Sequence, residues 1–161
     1  MPSVGIIDSQ SVKTSNICQG EIGYDGDKKV IGRKSHIVVD TLGLLLAIVV
    51  HSATPHDSKA AEPVFKALKN KYITGIIKIF ADGGHRRELV ETARIKFGWA
   101  LEIVKRNETH KFRILPKRWI VERTFAWISF QRRTSKDYER LTETSIALVR
   151  LSMIRLMLSK F

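Results

Sequence analysis

The sequence predicts an α/β fold, a mixed sheet flanked by helices. Three observations carry that expectation. The first third of the chain holds β-rich apolar runs in succession. The remainder alternates strand-like runs with segments whose apolar residues recur at helical spacing. A length of 161 residues with 43% hydrophobic content suits one domain, 1–161, with a real core.

In order, residues 4 to 12 read as a strand that carries a carboxylate, Asp8, where Val or Ile would be usual. Residues 16 to 34 are polar and punctuated by Gly20, Gly23, Gly26 and Gly32, a loop or loose hairpin. "SHIVVDTLGLLLAIVV" reads as two strands joined by Asp40-Thr41-Leu42-Gly43. Three strands in sequence imply an antiparallel start to the sheet. Asp57 or Ser58 opens a helix to about Lys69, with Ala61, Val64, Phe65 and Leu68 on one face. "IIKIFAD" is a fourth strand, stopped by Gly83-Gly84, and a helix follows from about His85 to Lys96. "ALEIVK" is a short fifth strand, and residues 105 to 117 form a basic loop. Two helices close the chain, about Arg118 to Arg133 and Glu139 to Ser159.

The net charge is +12 and the pI about 10.1, which points to a polyanionic partner such as nucleic acid. Cys18 is the sole cysteine, so no intrachain disulfide forms and a reducing compartment, the cytoplasm, is expected. Residues 1 to 30 contain no apolar signal segment. Arg150 and Arg155 interrupt the last apolar stretch, so no membrane span is expected. The five histidines and Cys18 show no zinc-like spacing. Trp99, Trp119 and Trp127 read as core or interface residues.

Three carboxylates stand out. Asp8 is either a turn-former or a group held at a sheet for chemistry. Asp82 ends a hydrophobic strand before two glycines, the place where open α/β sheets bind ligands, although Asp and Gly also make plain strand-to-helix turns. Glu122 lies off the apolar arc of its helix, on a side shared by Arg118, Ala126, Ser129 and Arg133. That side is either a solvated face with an Arg118–Glu122 pair or a functional one. Taken together, two carboxylates from strand ends and one from a facing helix suit hard divalent cations, and paired metals clamp the oxygens of a phosphoryl transfer.

"IIDSQSVKTS", "GYDGDKKVIGRKSHIVVDTLGLLLAIVVHSA", "FADGGHRREL" and "LPKRWIVERTFAWISFQRRTSKDYE" resemble the catalytic region of bacterial insertion-sequence DDE transposases, nearest the insertion-sequence-five-like group. The resemblance runs from residue 4 to about 158. It implies an RNase H-like fold with Asp8, Asp82 and Glu122 as the catalytic, metal-binding triad, holding two ions of Mg²⁺ or Mn²⁺. It implies cleavage at transposon ends by metal-activated water, then attack of the freed 3′-hydroxyl on target DNA. Arg118, four residues before the glutamate, matches the family pattern. Where the family often has lysine seven residues after the glutamate this chain has Ser129, with Arg133 one turn further on the same face.

Double-stranded DNA, both transposon ends and target, is the implied partner. Its expected contacts are Lys13, Lys28, Lys29, Arg33, Lys34, Arg118 and Arg133, with Lys105, Arg106, Lys111 and Lys117 forming further basic clusters. A homo-oligomer is expected in the active complex. Family members usually carry an N-terminal region before the first motif. Its absence here leads to the expectation of an N-terminally truncated catalytic domain, either the second reading frame of a two-frame element, with a separate N-terminal polypeptide, or a truncated remnant. Two other readings keep the fold without the activity: a non-catalytic DNA-binding remnant, and an inhibitor that binds an intact transposase.

Overall fold

The computed structural model describes residues 2–55, 57–71, 75–82, 87–104 and 117–159. Its elements are β1 (Val4–Lys13), β2 (Gly23–Asp25), β3 (Val30–Val39), β4 (Leu45–Ser52), α1 (Asp57–Lys71), β5 (Lys78–Asp82), α2 (Arg87–Thr92), β6 (Ala100–Val104), α3 (Arg118–Ser129) and α4 (Thr142–Leu158). A wide π-type turn, Ala93–Phe97, prolongs α2 and stops at Gly98, which adopts a left-handed φ of 75°.

β3 pairs antiparallel with β1 on one edge, and with β2 and then β4 on the other. β5 runs parallel to β1, and β6 parallel to β5. The antiparallel start expected from the sequence is therefore present, followed by a parallel half, in the RNase H-like arrangement. The alternation of β1 and β3 assigns the two faces. Ile7 and Val38 pack with Phe65, Leu68 and Trp99 under α1 and α2. Ile6 and Ile37 pack with Val121, Phe125 and Met153 under α3 and α4. Trp99 is a core residue, set edge-on to Phe65 at 5.8 Å.

Several boundaries moved. β3 begins at Val30, inside the segment expected to be loop, because Val30–Gly32 pairs with the short strand β2. α3 ends at Ser129, where Thr134 Oγ1 donates to the Ile128 carbonyl at 2.5 Å and closes the last turn. α4 starts at Thr142 because Asp137 to Arg140 are drawn into an extended path by contacts to Arg33. The expected start of a helix at His85 and the loop over 105–116 lie outside the described residues.

The β3–β4 turn positions α3. Asp40 Oδ1 accepts the N–H groups of Leu42 and Leu44 at 2.8 Å each. The turn then docks on α3, where Thr124 Oγ1 donates to Gly43 O at 2.8 Å and Arg123 Nη2 to Leu42 O at 2.9 Å. Gly43 has φ 86°, and a Cβ there would meet Thr124 Oγ1 at 2.9 Å. Gly43→Ala is therefore expected to cost about 1–3 kcal/mol, measured as a lowered urea midpoint. An unchanged midpoint would mean that the turn does not anchor α3.

Candidate functional site

β1 and β5 are last paired at Ile6 and Phe80. Asp8 and Asp82 each lie two residues beyond that pair, so they stand side by side on adjacent strands and on the face that meets α3. They line a cleft with Ile6, Phe80, Arg118 and Val121. Its volume of about 10 Å³ admits about one water-sized group.

Arg118 enters this cleft from the first turn of α3. Its Nη1 lies 2.7 Å from Asp82 Oδ2, and its Nε lies 3.0 Å from Glu122 Oε1, one helical turn on. The Glu122 side chain is 55% exposed. The structure thus brings Asp8 and Asp82 together and links Glu122 to Asp82 through one guanidinium. Among the described residues, no three of His, Cys, Asp or Glu converge as a ready metal cage.

Asp8 Oδ1 accepts the Ser9 N–H at 2.7 Å. Burial pushes the Asp8 carboxyl above its ordinary range, and the charge of Asp82 adds to the rise. The Ser9 N–H, Arg118 and Lys28 pull the other way without cancelling it. A cation in the cleft would relieve both the burial and the repulsion. The donors are carboxylate oxygens, which suit Mg²⁺ or Mn²⁺ rather than a soft metal. The residues therefore fit the cofactor that the sequence implies.

The basic residues divide into two groups. Lys13, Lys28 and Lys29 are exposed, with Lys28 and Lys29 on the turn between β2 and β3. Lys28 Nζ donates to the Ser9 carbonyl at 3.3 Å, which brings its charge beside Asp8. Arg133 is 67% exposed and paired with Glu139 at 2.5 Å. Arg118 faces carboxylates, as described. Arg33 and Lys34 are corrections. Arg33 is 1% exposed, with its terminal nitrogens bound to Asp137, Ser145 and three backbone carbonyls. Lys34 is 6% exposed and lies 3.2 Å from Asp25 Oδ2. Neither reaches a phosphate. Lys28 and Lys29 lie in a turn and are exposed, whereas Arg33 and Lys34 lie within β3, whose alternation sends them to opposite faces where both are buried. Of the other basic clusters, Lys105, Arg106 and Lys111 lie outside the described residues.

Asp25 shows what Lys34 does instead. Burial alone would raise its carboxyl. The Ser11 hydroxyl, the Lys28 N–H at 3.1 Å and the Lys34 ammonium outweigh this and bring it down to about 2. A depressed carboxylate adds stability above its unfolded value and loses it as pH falls through the folded one. Asp25→Asn is expected to cost about 1–3 kcal/mol at neutral pH and to flatten the acid limb between about pH 4 and 2. Urea midpoints across that range provide the check, and parallel acid limbs would show that the network does not govern acid stability.

Sequence reasoning missed one feature of the cleft wall. Lys117, the residue before α3, has φ 69° and sets its ammonium 4.0 Å from the centre of the Phe80 ring. The alternation in "KIFAD" places Phe80 and Asp82 on one face, which was the available signal.

Two aspartates on adjacent strands, Asp8 within β1 and Asp82 at the end of β5, under a helix that carries Arg and Glu one turn apart, define a carboxylate site on an RNase H-like domain. The chain matches the family described as "Transposase DDE domain" over residues 1–157 and belongs to it. It is also 30% identical over 131 residues to a Burkholderia cepacia protein described as a candidate transposase for insertion sequence element IS402. That match covers 78% of this chain and 62% of the relative, so the chain spans about 62% of the relative's length. Among the described residues no helix is long and apolar enough to cross a membrane.

Proposed function

We propose that this chain is the catalytic domain of an insertion-sequence DNA transposase, which cuts DNA strands at transposon ends and joins them to target DNA. The observation that carries this reading is the adjacency of Asp8 and Asp82 in one cleft, tied through Arg118 to Glu122. Asp8, Asp82 and Glu122 would hold Mg²⁺ or Mn²⁺, two ions in all. The metal would supply charge neutralisation at the scissile phosphate and a lowered pKa for the attacking oxygen.

The chain's own residues do the rest. Asp8 and Asp82 are fixed by the sheet, so their oxygens need little reorganisation. Arg118 neutralises Asp82 and Glu122, and its guanidinium stands within the cleft where it would meet a phosphate. Lys13, Lys28, Lys29 and Arg133 bind the DNA backbone, and Lys117 joins them from the cleft wall. Further copies of the chain complete the active complex.

The test is nicking of supercoiled plasmid with Mn²⁺, comparing the wild type with Asp8→Asn, Asp82→Asn and Glu122→Gln. Metal-dependent nicking lost in all three variants is the expected result. A folded wild type that binds DNA but does not nick it would favour the DNA-binding remnant. Nicking that survives in all three variants would remove the triad assignment.

A further inference from the structure

α4 carries a second apolar face that does not belong to the core. Its inner face buries Ser145, Val149, Ser152 and Met153. On the opposite face Leu151, Ile154 and Leu158 are 59%, 50% and 77% exposed, and Ala147 is exposed above them. The spacing 147, 151, 154, 158 is the alternating four-three step of a coiled-coil seam. A seam of this kind on the surface of a strongly charged protein calls for a covering helix.

The flanks of the seam say which kind of helix. Arg150 and Arg155 are both exposed, one on each side, at the positions that flank a seam and select its partner. In a parallel pair of identical helices, Arg150 of one would face Arg155 of the other. In either orientation a self-pair gathers four guanidinium groups, and the only acid in α4 is Glu143 in its first turn. Two copies of a chain with net charge +12 add to that repulsion. The flanks thus disfavour a second copy and favour acidic residues on the partner.

We propose that the outer face of α4 docks an amphipathic helix of another polypeptide, one with an apolar seam flanked by Asp or Glu. Leu151 and Ile154 form the centre of the contact, and Arg150 and Arg155 pair with the acids. The surface lies on a different element from Asp8, Asp82 and Glu122, so it holds or fails independently of the catalytic reading.

The probe is a labelled synthetic three-heptad peptide with Leu along the seam and Glu on both flanks, titrated with the full chain by fluorescence anisotropy. A matching peptide with Lys on the flanks is the control. The Glu peptide is expected to bind on the order of tenfold more tightly than the Lys peptide. Arg150→Glu with Arg155→Glu should reverse that preference, and Leu151→Gln with Ile154→Gln should abolish binding. Melting curves that match the wild type establish that both variants are folded. Three results would overturn the proposal. One is that both peptides bind equally, or neither binds. The second is Glu-peptide binding that survives Leu151→Gln with Ile154→Gln, which would place the contact on a general polyanion surface such as one for DNA. The third is wild-type self-association in sedimentation that these substitutions abolish, which would make the occupant a second copy.

Discussion

Arg33→Ala is expected to remove about 3–5 kcal/mol of stability, the range for breaking a buried ion pair from one side. The guanidinium is a hub. Nη1 donates to Asp137 Oδ2 at 3.1 Å, Glu139 O at 2.9 Å and Ser145 Oγ at 3.2 Å. Nη2 donates to Gln19 O at 3.0 Å and Arg140 O at 2.7 Å. Alanine would strand the Asp137 charge and three carbonyls inside the protein. Residues on either side of Asp137 would loosen too, since Asp137 N donates to Lys13 O at 2.9 Å and Ser15 N to Asp137 O at 2.8 Å, which ties this segment to the end of β1. Arg33→Lys should cost nearly as much, because one ammonium cannot serve a fork of five acceptors. Urea denaturation measures the loss. A change below about 1 kcal/mol would put Arg33 among ordinary surface residues. DNA affinity gives a second readout. Folded Arg33→Gln protein should keep the wild-type salt slope, and a slope smaller by about one would restore Arg33 as a phosphate contact.

Asp8→Asn should separate function from stability. On the proposed role of Asp8 as a metal ligand, its loss is expected to lower nicking by about 10²–10³-fold or more. The same substitution is expected to raise the melting temperature at neutral pH. The Asp8 carboxyl is pushed up by burial and by Asp82. A raised pKa means the folded state prefers the protonated form. The stability that this lends is fully present below the unfolded value and is lost as pH rises through the folded one. Asparagine avoids that loss, so the two melting curves should converge in acid and separate towards neutral pH. Millimolar Mg²⁺ should then stabilise the wild type more than the variant, by about 2.7 kcal/mol where metal exceeds Kd a hundredfold. A variant less stable than wild type at neutral pH without metal would mean that the contacts of Asp8 outweigh its burial.

The order of strands and helices was legible because hydrophobic periodicity is local. "KIFAD" announces a short buried strand ending on an acid, "GIID" a buried strand that in the structure runs on past Asp8 to Lys13, and the Asp40–Gly43 turn announces a hairpin. The family was legible because its motifs are short and ordered along the chain, and the match over residues 1–157 agrees. The errors share one cause. Arg33 and Lys34 read as a basic cluster beside Lys28 and Lys29, and linear charge says nothing about which side chains a β-strand turns inward. The partners that bury them, Asp137 for Arg33 and Asp25 for Lys34, lie 104 and 9 residues away in sequence. The same contact to Asp137 delayed the start of α4, where helical propensity alone would have extended it.

The sequence by itself determined the order of the main elements and the family, and it singled out three carboxylates, since each depends on residue types at short spacing. Only the tertiary structure decided that Asp8 and Asp82 line one cleft while Glu122 is linked to Asp82 through Arg118. It alone also decided which cations face solvent and which are internal ties. Those outcomes depend on strand register and on the docking of α3 against the Gly43 turn, where residues distant in the chain compete for the same few ångströms. A carboxylate or guanidinium takes its role from the neighbours it acquires there.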